Sequence, residues 1–160
     1  MVDVGQCQAL GSPVSILNPD FNISEGSSLQ PGFPPQGWTV IQGTTPKYIY
    51  GPGLGFSFGS PSAYDAVTQN VTTVRECKYQ ITFTLVIAEG AVPSNAFNVT
   101  IDGRSPYDSS GSTLSFSNMA TGVFPILGNF IATQNVSNLT FSGRSRTGSI
   151  SLHEVGLKSL

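Results

Sequence analysis

The sequence predicts an all-β fold, a jelly-roll β-sandwich of two antiparallel sheets, and three observations carry that prediction. Apolar residues recur with a period of two along most of the chain, which places them on one face of a strand. Turn residues interrupt these runs at short intervals, with 18 Gly and 11 Pro among 160 residues, a spacing that suits the short strands of a sandwich. No stretch carries an i, i+3, i+4, i+7 apolar stripe, so little helix is expected beyond a turn or two.

Residues 1–13 read as an N-terminal arm and residues 14–160 as a single β-sandwich domain, long enough to bury a self-sufficient core. Asn18-Pro19-Asp20-Phe21-Asn22, followed by Pro34-Pro35-Gln36-Gly37-Trp38, makes a polar opening; Leu152-His153-Glu154-Val155-Gly156-Leu157 makes a matching close. First and last strands that meet in a closed two-sheet domain can share a structural site. Trp38, the one tryptophan, offers the flat face of a sugar platform. The stretch from Gly51 to Pro61, which includes Phe56 and Phe58, reads as a long loop.

The middle of the chain is plainer. Tyr79, Ile81, Phe83, Leu85 and Ile87 alternate with Lys78, Gln80, Thr82 and Thr84, the pattern of a long strand with one buried face. Phe97, Val99 and Ile101 alternate with Ala96, Asn98 and Thr100, which turns Asn98 outward; Leu139 and Phe141 alternate with Asn138, Thr140 and Ser142 in the same way. Turns are expected at Gly51-Pro52-Gly53, Gly59-Ser60-Pro61, Glu89-Gly90, Asp102-Gly103, Ser109-Ser110-Gly111, Gly128-Asn129 and Arg146-Thr147-Gly148. In the last strand Ile150 and Leu152 share a face that Val155 and Leu157 can join only if one residue is inserted at His153-Glu154. That marks a β-bulge; the alternative is a strand that swaps faces near its end.

Charge excludes several functions. Charged residues make up 10% of the chain, against roughly 25% in an average soluble protein. The net charge is -2, and seven Lys plus Arg scattered along the chain form no basic stripe for a nucleic acid. No segment approaches the ~18 apolar residues of a membrane span, and the N-terminus has neither a basic n-region nor an apolar h-region.

Five of the nine asparagines stand in N-x-[ST] sequons: Asn22, Asn70, Asn98, Asn135 and Asn138. One reading is that strands rich in Ser and Thr generate sequons freely. The other is a secreted glycoprotein whose sheet surface carries glycans. Cys7 and Cys77 are the whole thiol inventory. In a secreted domain they would pair; otherwise they are two unpaired thiols, and with a single histidine they cannot make a zinc site.

Taken together, Asn18-Pro19-Asp20-Phe21, Pro35-Gln36-Gly37-Trp38-Thr39-Val40, Cys77-Lys78-Tyr79-Gln80-Ile81-Thr82-Phe83, Phe97-Asn98-Val99, Leu139-Thr140-Phe141 and the closing segment resemble the galactose-binding-domain-like jelly rolls. Among these the layout is similar to carbohydrate-binding modules and to the DUF642 cell-wall proteins of plants, whose consensus runs N-G-D-F-E, P-G-W and I-D-D-V. The resemblance covers nearly the whole chain. It implies eight to ten strands, a core position for Trp38 in a structural strand, and a seam at Asp20 and Glu154 that either holds a structural calcium ion or is closed by hydrogen bonds with no metal. Asn22 stands where the family prefers Glu and His153 where it has its first Asp, so few of the six to eight oxygens that calcium takes are carboxylate.

Sugars are recognised by flat aromatic faces together with planar polar groups. Tyr48, Tyr50 and Tyr64 cluster in sequence around the glycine-rich stretch; Asp102, Arg104 and Tyr107, with Asp108, follow the Phe97 strand. Each also reads as ordinary surface. Arg144 and Arg146 offer forks for acidic sugars. Catalysis finds no support: His153 is the sole histidine, no G-x-S-x-G elbow exists, the nine acids form no evident pair, and there is no P-loop or dinucleotide fingerprint. The expectation is a non-catalytic glycan-binding module of a secreted or cell-surface protein, in a wall, matrix or adhesion system, with a polysaccharide as partner. The alternative is a structural or adhesive extracellular module that makes protein contacts, in a matrix or a larger multidomain chain, without binding sugar.

Overall fold

Alternation of buried and exposed residues sets the strands of this protein. The computed structural model describes residues 6–22, 34–41, 49–51, 54–58, 63–88, 95–145 and 150–160. Ten strands follow in chain order: β1 (Thr39–Ile41), β2 (Ile49–Gly51), β3 (Gly55–Phe58), β4 (Asp65–Thr72), β5 (Lys78–Ile87), β6 (Ala96–Ile101), β7 (Ser115–Ser117), β8 (Gly122–Ile131), β9 (Val136–Arg144) and β10 (Ile150–Ser159). They form two five-stranded sheets, ordered β1-β4-β9-β6-β7 and β2-β3-β10-β5-β8, and every pairing is antiparallel. The all-β two-sheet sandwich read from the sequence is the observed fold, and no helix occurs among the described residues.

Two expectations are corrected. Gly51 to Pro61 is not one long loop, because Phe56 and Phe58 lie on β3, where both are fully buried opposite Leu152 and Ile150 of β10. Their separation of two residues is itself a strand signal, outweighed in the sequence by the glycines and prolines around it. Gly128-Asn129 is not a turn either; β8 runs through it, with Gly128 paired to Ile81 and Asn129 to Gln80. Gly128 serves close approach instead, since a Cβ there would sit 2.6 Å from Leu114 Cδ1 and 3.3 Å from Pro106. The expected turns at Gly59-Ser60-Pro61, Glu89-Gly90 and Arg146-Thr147-Gly148, and Pro52-Gly53, lie outside the described residues.

The space between the sheets is filled largely by aromatic rings. Phe56 and Phe58 of β3 and Phe83 of β5 face Phe97 of β6 and Phe141 of β9; Phe58 meets Phe97 at 5.6 Å between centroids and Phe83 meets Phe141 at 5.3 Å. Trp38, 3% exposed, is a core residue that lies 4.9 Å from Phe21 and 6.1 Å from Phe141. Gly143 admits Phe58 to this layer, because a Cβ there would lie 2.5 Å from the ring's Cγ.

The opening and closing segments meet. Asn18 is the hub: its carbonyl accepts from Trp38 Nε1 at 3.0 Å and from the Phe21 N–H at 3.1 Å, and its Oδ1 accepts from the Asn22 N–H at 2.8 Å. Gln69 of β4 clamps the preceding residue, accepting from the Leu17 N–H at 2.8 Å and donating to its carbonyl at 3.0 Å. From the other side the Val155 N–H donates to the Pro19 carbonyl at 3.2 Å. The bulge in β10 is present, with the register against β5 shifting between His153 and Gly156 and Glu154 at φ +53°. Ile150, Leu152, Val155 and Leu157 consequently all reach the core.

Residues 9–14 run beside the end of β10, with Gly11 N–H donating to Ser159 O at 2.9 Å and Val14 N–H to Leu157 O at 2.8 Å. Cys7 and Cys77 form a disulfide across 70 positions of sequence, with Cα atoms 5.5 Å apart. It closes a long loop of the unfolded chain, the situation in which a cross-link removes most entropy. Replacing both cysteines by serine is expected to lower stability by about 2 to 4 kcal/mol, read as a lower urea midpoint with a somewhat steeper denaturant slope, because the unfolded chain without the cross-link exposes more surface.

Candidate functional site

A cleft of about 590 Å³ opens at one end of the sandwich, where the segment after β6 folds over the edge strand β8. Its lining comes from Lys78, Ile101, Asp102, Arg104, Ser105, Tyr107, Asn129, Phe130, Ile131, Thr133 and Leu160. This size falls among small-ligand pockets, which span about 300–1,000 Å³. Phe130 forms part of the apolar floor and stacks on Tyr79 at 5.6 Å, while Tyr107 and Ile131 are exposed at 52% and 58%.

Local backbone chemistry builds the wall. β6 ends in a two-residue turn, with Asp102 at φ +50° and Gly103 at φ +77°, closed by Ile101 and Arg104 exchanging both N–H···O bonds at 2.8 and 3.0 Å. Asp-Gly suits such a turn because both central residues need positive φ. The Asp102 carboxylate then accepts from the Asn138 N–H at 2.9 Å and the Thr133 hydroxyl at 3.4 Å, tying the turn to β9. Tyr107 and Asn129 exchange backbone hydrogen bonds at 2.9 and 2.7 Å, which fastens the segment to the edge of β8. Beyond it, Asp108 caps a tight turn. The Ser110 hydroxyl and the Ser112 N–H donate to its carboxylate at 2.6 and 3.0 Å and hold it below the usual carboxylate range.

Of the residues singled out in the sequence, Asp102, Arg104 and Tyr107 are brought together on this cleft. Tyr50 and Tyr64, the two described members of the tyrosine group, do not line it. Tyr50 is 5% exposed and stacks on Phe56, so its ring belongs to the core, drawn there by the same alternation that buries β3. Tyr64 is surface and lies under the Arg144 guanidinium, 5.6 Å from Cζ to the ring centroid, on the other sheet from β8. Tyr48 and Arg146 fall outside the described residues. Lys78, Asn129, Ile131 and Thr133 were not picked out by sequence reasoning. Lys78 carried a signal, being a polar residue at a position that alternation turns outward, whereas Asn129 was hidden by the turn reading of Gly128-Asn129.

Three sequon asparagines share the outer face of the first sheet: Asn70 on β4, Asn98 on β6 and Asn138 on β9. Asn70 and Asn138 are cross-strand partners, and the Asn138 amide donates to Asn70 Oδ1 at 2.9 Å. Asn22 and Asn135 are exposed on connecting segments, the latter accepting from the Arg75 N–H at 3.0 Å.

Where the opening and closing segments meet, Asp20 and Glu154 are both exposed, and Glu154 Oε2 accepts from the Thr84 hydroxyl at 3.3 Å. Among the described residues no group of three or more His, Cys, Asp or Glu converges as metal ligands. His153 sits beside them, its Nε2 3.0 Å from Ser151 Oγ and its ring packed over Gly55, whose missing Cβ makes the room. Burial pushes this imidazole below its ordinary value, against the opposing pull of Glu154 and Asp20.

No protein-family model matches this chain, and no curated protein does. Solved structures share its fold. An arabinose-bound MgGH51 α-L-arabinofuranosidase is similar over 98% of this chain at 15% identity and a TM-score of 0.60, although the chain spans only 27% of that enzyme. The CBM22-1 xylan-binding domain of Paenibacillus barcinonensis Xyn10C is similar over 95% of this chain and 97% of its own, at 17% identity and a TM-score of 0.50. TmCBM61, solved with β-1,4-galactotriose, is similar over 93% of this chain and 100% of its own, at 12% identity and a TM-score of 0.50. The chain thus has the β-sandwich fold of carbohydrate-binding modules.

His153 gives the closing seam a pH response. The unfolded imidazole takes up its proton near pH ~6.5, whereas the folded one does so lower, so the unfolded state binds more protons as the pH falls through that value. Stability contributed by the neutral ring is complete above the unfolded value and declines below it. Between about pH 7.5 and about pH 5.5 the thermal midpoint of the parent protein is expected to fall further than that of His153→Gln. Parallel curves for the two would remove His153 as the source.

Proposed function

We propose that this chain is a non-catalytic glycan-binding module and that the cleft beside β8 is its sugar site. The observation that carries the proposal is Tyr107, an exposed ring on the wall of a cleft rimmed by Asp102, Arg104 and Asn129. A flat aromatic face can lie against the C–H surface of a pyranose while amide, carboxylate and guanidinium groups meet its hydroxyls. The sandwich fold shared with a xylan-binding domain and with a module solved with galactotriose supports this reading.

A secreted or cell-surface location belongs to the same proposal, supported by the disulfide and by sequon asparagines on exposed connections and on the first sheet's outer face. The likeness to the DUF642 cell-wall proteins is part of it too and rests on the opening and closing motifs alone. A structural or adhesive role has one observation in its favour: Val123 and Leu127 of the edge strand β8 are exposed at 66% and 51%. Pro125 between them lacks the N–H that a docking strand would need, which is how natural edges are kept from pairing.

Calcium at Asp20 and Glu154 is a subsidiary proposal drawn from the resemblance. A bound ion is expected to raise the thermal midpoint in millimolar calcium chloride, reversibly with chelator and only while Glu154 is intact; an unchanged midpoint overturns it.

The glycan proposal is tested by titrating soluble plant and microbial polysaccharides by calorimetry after an array screen. Tyr107→Ala is expected to weaken the best ligand about tenfold, as truncating a central aromatic contact does. Asn129→Ala should weaken it by about threefold, one hydrogen bond's worth. Clean negative arrays together with self-association in solution would favour the adhesive reading.

A further inference from the structure

We infer that the cleft takes an acidic sugar, with the carboxylate of a uronate residue in a polysaccharide met by Arg104 and Lys78; this rests on the glycan reading above. Cations are scarce, seven in 160 residues of net charge -2, yet three of them gather here. Lys78 and Arg104 line the cleft. Lys158 flanks it: β10 places Lys158 opposite Gln80, β8 places Asn129 opposite Gln80 on the other side, and Lys78 lies two residues along the same face.

None of the three is neutralised. The one ion pair among the described residues joins Arg75 to Glu76 at 3.8 Å, and Lys78, Arg104 and Lys158 are all exposed. Asp102 is the single acidic side chain of the lining, held toward β9 by the Asn138 N–H and the Thr133 hydroxyl, and its one negative charge leaves Lys78, Arg104 and the flanking Lys158 in excess. A neutral sugar needs donors and acceptors, which Asn129, Ser105 and Thr133 would supply without any surplus of charge. The surplus is explained by an anion on the ligand. An Arg fork matches the planar, two-oxygen carboxylate and an ammonium adds a point charge beside it, while the Tyr107 ring supports the sugar that carries it.

The test compares polygalacturonate, its fully methyl-esterified form, neutral xylan and dextran sulfate by affinity electrophoresis and calorimetry, with each variant's thermal midpoint confirming its fold. Polygalacturonate is expected to bind and its methyl ester to bind far less. Affinity should fall as added salt shortens the Debye length below about 8 Å, and Lys78→Gln with Arg104→Gln together should weaken it about tenfold. Arg144→Gln removes one positive charge from the other sheet, against one for either Lys78→Gln or Arg104→Gln alone, and is expected to leave affinity within about twofold. If the methyl ester or xylan binds as well, unaffected by salt or by the Lys78 and Arg104 replacements but lost in Tyr107→Ala, the acidic-sugar inference fails and the glycan cleft stands. Tighter, Tyr107-dependent binding of dextran sulfate overturns the carboxylate in favour of a sulfate ester. Binding that ignores Tyr107, or no binding at all, overturns both readings.

Discussion

Aromatic rings from the two sheets interlock across the sandwich, and the remaining architecture is arranged around that contact. Facing sheets sit about 10 Å apart, a gap that large flat side chains fill without voids. Phe56, Phe58, Phe97 and Phe141 are each completely buried and Phe83 nearly so, and burial of one such side chain is worth about 1.5 to 3 kcal/mol. The ring contacts are tilted or edge-on, as the ring quadrupoles prefer, with Phe58 at 74° to Phe97 and Phe83 at 75° to Phe141. Close packing also explains Gly143, where the smallest residue stands because Phe58 occupies the space of a side chain.

Two otherwise irregular segments become ordered because this layer extends to them. Phe21 and Trp38 join the rings at one end, and their backbone is then held by Asn18, whose carbonyl and side chain take donors from three residues. The bulge in β10 answers a related demand. Ile150 and Leu152 reach the core at the end of β10 that pairs with β3, and Val155 and Leu157 reach it beyond the inserted residue. The extra residue falls on Glu154, whose left-handed backbone turns it to solvent, and the freed Val155 N–H finds the Pro19 carbonyl.

Much of this was legible in the sequence because alternation is a local property. The faces of β5, β6 and β9, the bulge and the Asp102-Gly103 turn are read from neighbouring residues, whereas the core role of Trp38 follows from the resemblance. β3 was misread because Gly and Pro on either side of Phe56-Ser57-Phe58 resemble loop composition; its strand character comes from pairing with β10, nearly a hundred residues away. Gly128-Asn129 failed for a related reason. A glycine that creates room for Leu114 looks the same in sequence as one that makes a turn. The cleft was half legible. Asp102, Arg104 and Tyr107 are close in sequence and were found as a group, whereas Lys78 and Asn129 reach them through the β5–β8 pairing and the Tyr107–Asn129 bridge, and Thr133 through its hydrogen bond to Asp102.

That division bears on how the cleft can work. Its polar groups sit on a segment held at both ends, by the Asp102 carboxylate on β9 and by the Tyr107–Asn129 bridge on β8. Gly128 lets Leu114 and Pro106 press against the sheet beneath. Loops that carry function usually give up order for it. Here the loop takes its order from the sandwich, so Tyr107 and Arg104 are positioned on a backbone already in place, and binding of the proposed sugar would cost less conformational entropy. The surrounding surface, poor in charge and rich in Ser, Thr and Asn, offers little competition for a charged partner. On such a background the cations at one rim are the charge that the proposed acidic sugar would meet.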